Sequence, residues 1–128
     1  MRKAVLAFAV FAAPLLAQVA TGKLTIAGEA FAPSDVLDAR AMPDPGGTAG
    51  IMLTLSPKAA ARLAKLTAGL SGKPMIVALD GKPLLSEMIR GPIQDGVINI
   101  PGNYRTPQAE ALAKRISGKD PLPEDLAE

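Results

Sequence analysis

The chain contains no histidine, no cysteine and no tryptophan, and its aromatic residues are three phenylalanines and one tyrosine. The absence of histidine excludes a Ser-His-Asp triad and removes the commonest general base of enzymes. The absence of cysteine excludes a disulfide framework and thiolate metal sites. So few aromatic side chains give no platform on which nucleic-acid bases could stack. We therefore expect an apolar core to stabilise the fold, and we expect no catalytic site, no cofactor and no metal.

Charge and hydropathy are distributed unevenly along the 128 residues. Arg2 and Lys3 precede an apolar run of roughly a dozen residues, the layout of a secretory signal peptide. A membrane-spanning helix needs about 20 apolar residues, and Pro14 and Gln18 interrupt this run. We predict a signal peptide over residues 1–22, cleaved between Ala17 and Lys23, and a periplasmic location; a retained N-terminal anchor is the alternative.

Removing the leader leaves 12 basic against 12 acidic residues. A balanced charge argues against nucleic-acid binding, which needs a basic surplus on one face. We expect the protein to contact a membrane only through a partner or an uncleaved leader. The rest of the chain predicts one small domain over residues 23–123, and we expect the acidic tail, 124–128, to fray.

Period-two alternation of apolar residues predicts strands in four stretches: "KLTIAGEAF", "SDVLDARAM", "GIMLTLS" and "GVINI". A turn-rich loop over 43–50 separates the second stretch from the third. Ser56-Pro57 and Thr106-Pro107 each begin a helix with a capping hydroxyl and an N1 proline, and Gly118 ends the second helix. We predict an α+β domain whose antiparallel sheet carries both helices on one face.

The stretch "MIVALDGKPLLSEMIRGPI" predicts a β-hairpin. Met75–Leu79 is apolar on both faces, which is typical of a strand covered or half covered on each side. Asp80 and Gly81 are suited to the positive φ angles of a two-residue type I′ turn, so we interpret Asp80 as structural. Because Pro83 cannot donate to a ladder, the returning strand is expected to start late or to lie at an edge.

The remaining polar residues offer little chemistry. Asp35 and Asp38 form a carboxylate pair that we interpret as turn-capping, and the other pair, Asp80 and Glu87, includes the turn residue. Lys58, Arg62 and Lys65 form a basic stripe on the first helix that we expect to be solvated. These patterns favour a protein that is not an enzyme.

Several segments together resemble the head subdomain of the first periplasmic domain of SecD, a bacterial protein-export membrane component. They are, in order, a helix carrying "LT", then "IVALDGK", "IRGPI", "GVINIPGNY" and "EALAKRISG", with "DVLDARAMPD" upstream. The resemblance covers roughly residues 33–123, and it departs from the family at "LSE" (Leu85–Glu87), where small-small-proline is usual. It implies an α+β head that contacts an unfolded polypeptide or the export machinery, without the membrane part that couples proton flow.

The predicted function is therefore a non-catalytic periplasmic module that binds protein or polypeptide and assists export. Met52, Thr54, Val97 and Asn99 are the candidate binding residues, because they should lie on the sheet face away from the helices. The alternative for these four is that they only pave the sheet or pack under the N-terminal strands. The alternative function is an accessory or inhibitory subunit that docks on an envelope complex.

Overall fold

The computed structural model of the protein describes residues 21–123. Nearly all of the predicted leader and the predicted frayed tail, 124–128, lie outside the described residues. Within the described part, no helix is both long enough and apolar enough to cross a membrane.

Residues 21–123 form an α+β domain, as predicted, with this order of elements: β1 (Leu24–Ile26), β2 (Glu29–Phe31), a one-turn 3₁₀ helix (Pro33–Asp35), β3 (Val36–Pro43), β4 (Ala49–Leu55), α1 (Pro57–Ala68), β5 (Pro74–Leu79), β6 (Lys82–Met88), β7 (Val97–Tyr104) and α2 (Thr106–Ser117). The first predicted strand is thus a hairpin of two short strands. Its two-residue turn has positive φ at Ala27 (54°) and Gly28 (82°), and alanine there gives no sequence signal for a turn.

The strands form two antiparallel sheets instead of the single sheet expected, with the orders β2-β1-β5-β6 and β3-β4-β7. Segment 89–96 separates β6 from β7. It is held back against α1, because the Ile93 amide donates to the Thr67 hydroxyl (2.8 Å), while the Ile89 amide donates to the Lys73 carbonyl (2.9 Å). β7 pairs with β4, and within residues 21–123 no strand pairs with its other edge.

The β5–β6 hairpin has the predicted turn geometry, with φ of 53° at Asp80 and 81° at Gly81. The sequence predicts that the returning strand either starts late or lies at an edge. It lies at an edge, since β6 is the outermost strand of its sheet, and it starts directly after the turn at Lys82. A bulge follows Pro83 and leaves Leu84 without a direct partner. Of the two states expected for the faces of β5, the inner face is covered, with Met75 and Val77 buried, and the outer face is half covered, with Ile76 45% exposed.

The helix caps differ between the two helices. The Ser56 hydroxyl accepts the Ala59 amide hydrogen (3.3 Å) at the start of α1, as predicted. In α2 the cap lies one residue earlier than Thr106, where the Gln108 side chain accepts the Arg105 amide hydrogen (3.0 Å). The helix ends at Gly118, whose φ of 78° is left-handed.

Both helices contact the three-stranded sheet. The buried apolar side chains of the two sheets and the two helices form one core, which includes Leu24, Val77, Leu53, Ile100, Leu63 and Ile116. This single core makes residues 21–123 one domain, and it leaves the other face of the three-stranded sheet outside the core.

Candidate functional site

The four candidate binding residues meet as two cross-strand pairs on β4 and β7. Met52 lies directly opposite Asn99, and Thr54 lies opposite Val97. Asn99 is exposed and the other three are half-buried, whereas their neighbours Ile51, Leu53, Ile98 and Ile100 are all buried in the core. The strands therefore present a small mixed surface, called here the open face, made of Met52, Thr54, Val97 and Asn99.

Val97 and Asn99 also occupy a free strand edge. The Leu55 amide donates to the Gly96 carbonyl (2.9 Å), so Leu55 and Gly96 form a hydrogen-bonded pair of the β4–β7 ladder. Hydrogen-bonded and non-hydrogen-bonded pairs alternate in antiparallel sheets. It follows that the backbone groups of Val97 and Asn99 point away from β4, toward the side where β7 has no neighbouring strand.

This edge is blunted at both ends. The Val97 amide already donates to the Asp95 carboxylate (3.0 Å), and Pro101 has no amide hydrogen to give. The N–H and C=O of Asn99 and the C=O of Val97 remain to pair with another strand. The edge thus suits a short extended segment of guest chain and discourages long edge-to-edge aggregation.

A groove of about 520 Å³ runs along the edge, between β7, the loop Pro92–Asp95 and Glu87 of β6. Glu87 belongs to the "LSE" stretch, and it pairs with Met75 across the hairpin. Glu87 and Asp95 are both among the residues that line the groove, so its lining carries two acids. Ile93 and Val97 are among its apolar lining residues.

The open face ends at β3, where an ion pair holds the C-terminal segment. Asp38 lies opposite Thr54 and Arg40 opposite Met52, and the Asp38 carboxylate accepts hydrogen bonds from Arg40 Nε (2.7 Å) and from the Leu122 amide (2.8 Å). Arg40 Nη2 donates in turn to the Leu122 carbonyl (2.7 Å). Leu122, two residues before the predicted tail, is thus fixed across the edge of the sheet.

Asp38 is a buried ion-pair residue, so its interpretation as a turn cap is wrong, whereas Asp35 does accept the Ala32 amide hydrogen (2.9 Å). Burial raises the pKa of Asp38, but the hydrogen bonds from Arg40 and Leu122 and the positive charges of Arg40 and Lys119 outweigh it, so the pKa lies below its usual value. The sequence signal was an Asp-x-Arg pair, since residues two apart on a strand share a face.

Two other sequence interpretations are changed by the contacts. Asp80 does more than form the turn: it accepts the Lys23 amide hydrogen (2.8 Å) and pairs with Arg115 of α2. Arg62 is not part of a solvated stripe, because it pairs with Glu29 (3.1 Å) and its guanidinium lies 4.2 Å from the centre of the Phe31 ring. Arg62 thus ties α1 to β2, and Arg115 ties α2 to the β5–β6 turn.

Comparison with known proteins bears on the whole domain. The family model described as "SecDF, P1 head subdomain" matches residues 15–119. The protein translocase subunit SecDF of Thermus thermophilus is 32% identical over 96 residues, which are 74% of this chain and 13% of that protein. The chain therefore spans about an eighth of the length of this curated relative.

Two solved structures are similar. One, described as a membrane component SecDF that enhances protein export, has a TM-score of 0.65 at 20% identity and covers 96% of this chain and 73% of that chain; at that identity it shows the fold alone. The other, SecDF in a super-membrane-facing form, has a TM-score of 0.61 at 30% identity and covers 71% of this chain and 12% of that chain. Because the family model matches most of its length, the chain belongs to the SecDF P1 head subdomain family.

Proposed function

We propose that the protein is a non-catalytic module of the periplasm that binds unfolded polypeptide and assists protein export. The observation that carries the proposal is the coincidence of the open face with the free edge of β7, in a domain of the SecDF head family. A guest segment would add to β7 by main-chain hydrogen bonds with Asn99 and rest its side chains on Met52 and Val97.

Two features support a guest that is extended and short. The backbone groups available at the edge belong to Val97 and Asn99, and the groove beside them is lined by β7 only from Val97 to Asn99. Affinity from so small an edge is low, and weak binding suits a protein that must release a chain in transit.

The proposal is tested by fluorescence anisotropy with a labelled polypeptide kept unfolded by reduction and alkylation of its cysteines. The double variant Met52→Asp/Val97→Asp places two like charges on the open face. We expect it to weaken binding at least about tenfold, since it removes apolar contact and adds desolvation of the new carboxylates.

The matched control is Ile76→Asp, an apolar-to-acid change on the outer face of the other sheet, where the side chain is 45% exposed. Circular dichroism must show that all variants are folded. Equal affinities for the wild type, the double variant and the control would rule out the open face as the binding surface.

A second candidate function, docking on an envelope complex, is favoured by one observation. Ile76 and Met88 are 45% and 59% exposed and are diagonal neighbours on the outer face of β5–β6, where Ile76 lies opposite Ser86 and Met88 opposite Pro74. Apolar side chains exposed together are typical of protein contact sites. Co-purification of a membrane complex that is lost in Ile76→Asp and kept in Met52→Asp/Val97→Asp would select this function.

A further inference from the structure

A second cleft lies between the β5–β6 hairpin and α2, and Tyr104 at the end of β7 also lines it. It has a volume of about 380 Å³ and an apolar lining that includes Leu79, Leu84, Leu112 and Tyr104. The bulge after Pro83 is what frees Leu84 from the ladder, and bulges commonly re-aim a side chain. Clefts of this size hold small ligands or the end of a chain.

One helical stripe forms the second wall. Gln108, Ala111, Leu112 and Arg115 all line the cleft, and their spacing of three and four residues places them on one face of α2. Gln108 uses its carbonyl oxygen to cap the helix, so its amide N–H groups remain available to a guest. The wall thus runs from an amide donor, across an apolar centre, to a guanidinium.

The charged end of the cleft is positive. Lys82 and Arg115 line it, and no acid is found among the described residues that line this cleft. Arg115 is paired with Asp80, which stands just outside, whereas Lys82 makes no ion pair within residues 21–123. The cleft therefore has one uncompensated positive charge, on Lys82, together with the guanidinium of Arg115, which has further N–H groups that can donate.

The hairpin turn next to Lys82 is fixed by hydrogen bonds. Lys82 follows the Asp80-Gly81 turn directly, and the turn is bonded to the residue before β1, since the Asp80 amide donates to the Lys23 carbonyl (2.8 Å) and the Lys23 amide to the Asp80 carboxylate (2.8 Å). The backbone that carries Lys82 is therefore held in position.

We propose that this cleft binds the C-terminal end of a polypeptide, with an apolar last side chain on the floor and the terminal carboxylate on Lys82 and Arg115. The inference rests on the proposed polypeptide-binding function and adds a second, end-specific site to it. Charge complementarity favours this occupant, because a chain that ends in an apolar residue carries an apolar side chain and a carboxylate on the same residue, and the cleft is lined by apolar side chains together with Lys82 and Arg115.

The test compares two acetylated tetrapeptides of sequence Ala-Ala-Leu-Leu, one ending in a free carboxylate and the other in an amide, by NMR titration of the labelled protein. We expect the carboxylate form to bind about tenfold more tightly, given two partly exposed cations, and to shift the amide signals of Ala111 and Leu112. Lys82→Gln should reduce the preference to about twofold. Ala111→Glu, which places an acid in the cleft at an exposed helical position, should abolish it.

The matched control is Lys58→Gln, which removes an exposed lysine from α1 and should keep the full preference. Equal binding of the two peptides, or an unchanged preference in Lys82→Gln, overturns the proposal. So does saturable binding of sodium dodecanoate without binding of the peptides, because the cleft would then be a lipid site. If the two peptides bind equally while unfolded polypeptide still binds at the open face, only this inference fails. If unfolded polypeptide does not bind at the open face either, the proposed function fails as well.

Discussion

Arg40 and Asp38 face each other two residues apart on β3, with Arg40 Nε 2.7 Å from Asp38 Oδ2. Both side chains are largely buried, 16% and 5% exposed, and both bond the backbone of Leu122. The pair therefore connects the edge of the three-stranded sheet to the segment after α2 at Leu122, and it borders the open face through Thr54 and Met52.

Neutralising Asp38 should destabilise the domain. In Asp38→Asn the buried ion pair with Arg40 is lost, and the Leu122 amide keeps at best a weaker acceptor. We expect the free energy of unfolding to fall by about 2 kcal/mol, measured by urea denaturation.

Glu110→Gln, an exposed charge change on α2, is the control and should shift stability by less than about 0.5 kcal/mol. A loss in Asp38→Asn no larger than in this control would contradict the structural role of the pair.

The same carboxylate should make stability depend on pH. Because the pKa of Asp38 is lower in the folded protein than in the unfolded chain, its contribution is fully present above the unfolded pKa of about 3.9 and is lost as the pH falls through the folded value. Urea denaturation from pH 6 down to about pH 2 should show stability falling more steeply in the wild type than in Asp38→Asn. A residual slope in the variant is expected from Asp80, whose pKa is lowered by the Lys23 amide hydrogen bond and by Arg115; parallel curves would contradict the assignment.

Thr67→Val should loosen segment 89–96, which connects β6 to β7. The buried hydroxyl donates to the Leu63 carbonyl (2.8 Å) and accepts the Ile93 amide hydrogen (2.8 Å), so valine leaves a backbone donor unpaired. We expect a loss of about 1–2 kcal/mol and faster hydrogen exchange at Ile93. Thr25→Val is the control. It removes a half-exposed hydroxyl that has no partner within residues 21–123, so hydrogen exchange at Ile93 should stay unchanged.

Gly96→Ala and Gly72→Ala form a matched pair. Both glycines have positive φ, 69° and 80°, but a Cβ at Gly96 would lie 2.6 Å from Ala60 Cβ, whereas one at Gly72 would meet nothing within 4 Å. Each variant loses about 1 kcal/mol from backbone strain, and Gly96→Ala should lose about 1–3 kcal/mol more from overpacking. Similar melting curves for the two variants would show that the start of β7 can shift freely against α1.

Local features of the fold could be predicted from the sequence. The Asp80-Gly81 turn, the Ser56-Pro57 helix start and the left-handed Gly118 depend on the chemistry of a few adjacent residues, which the sequence displays directly. The α+β class followed from the order of such local signals.

The long-range features could not be predicted in the same way. β7 pairs with β4 and not with β6, and the segment that precedes β7 is bonded through Ile93 to Thr67, 26 positions away. Likewise, Asp38 and Arg40 both bond the backbone of Leu122, more than 80 positions away. The apparent breakers Pro101 and Gly102 lie inside β7, because a proline is tolerated at a free edge.

The central claim, that the β4–β7 open face receives unfolded polypeptide, is tested most directly by site-specific photocrosslinking in the periplasm. A photoreactive amino acid at position 99 should form adducts with newly exported chains that have not yet folded, while the same group at the exposed position 58 on α1 should form few. Adducts only with folded proteins at position 99, or equal yields from the two positions, would contradict the claim.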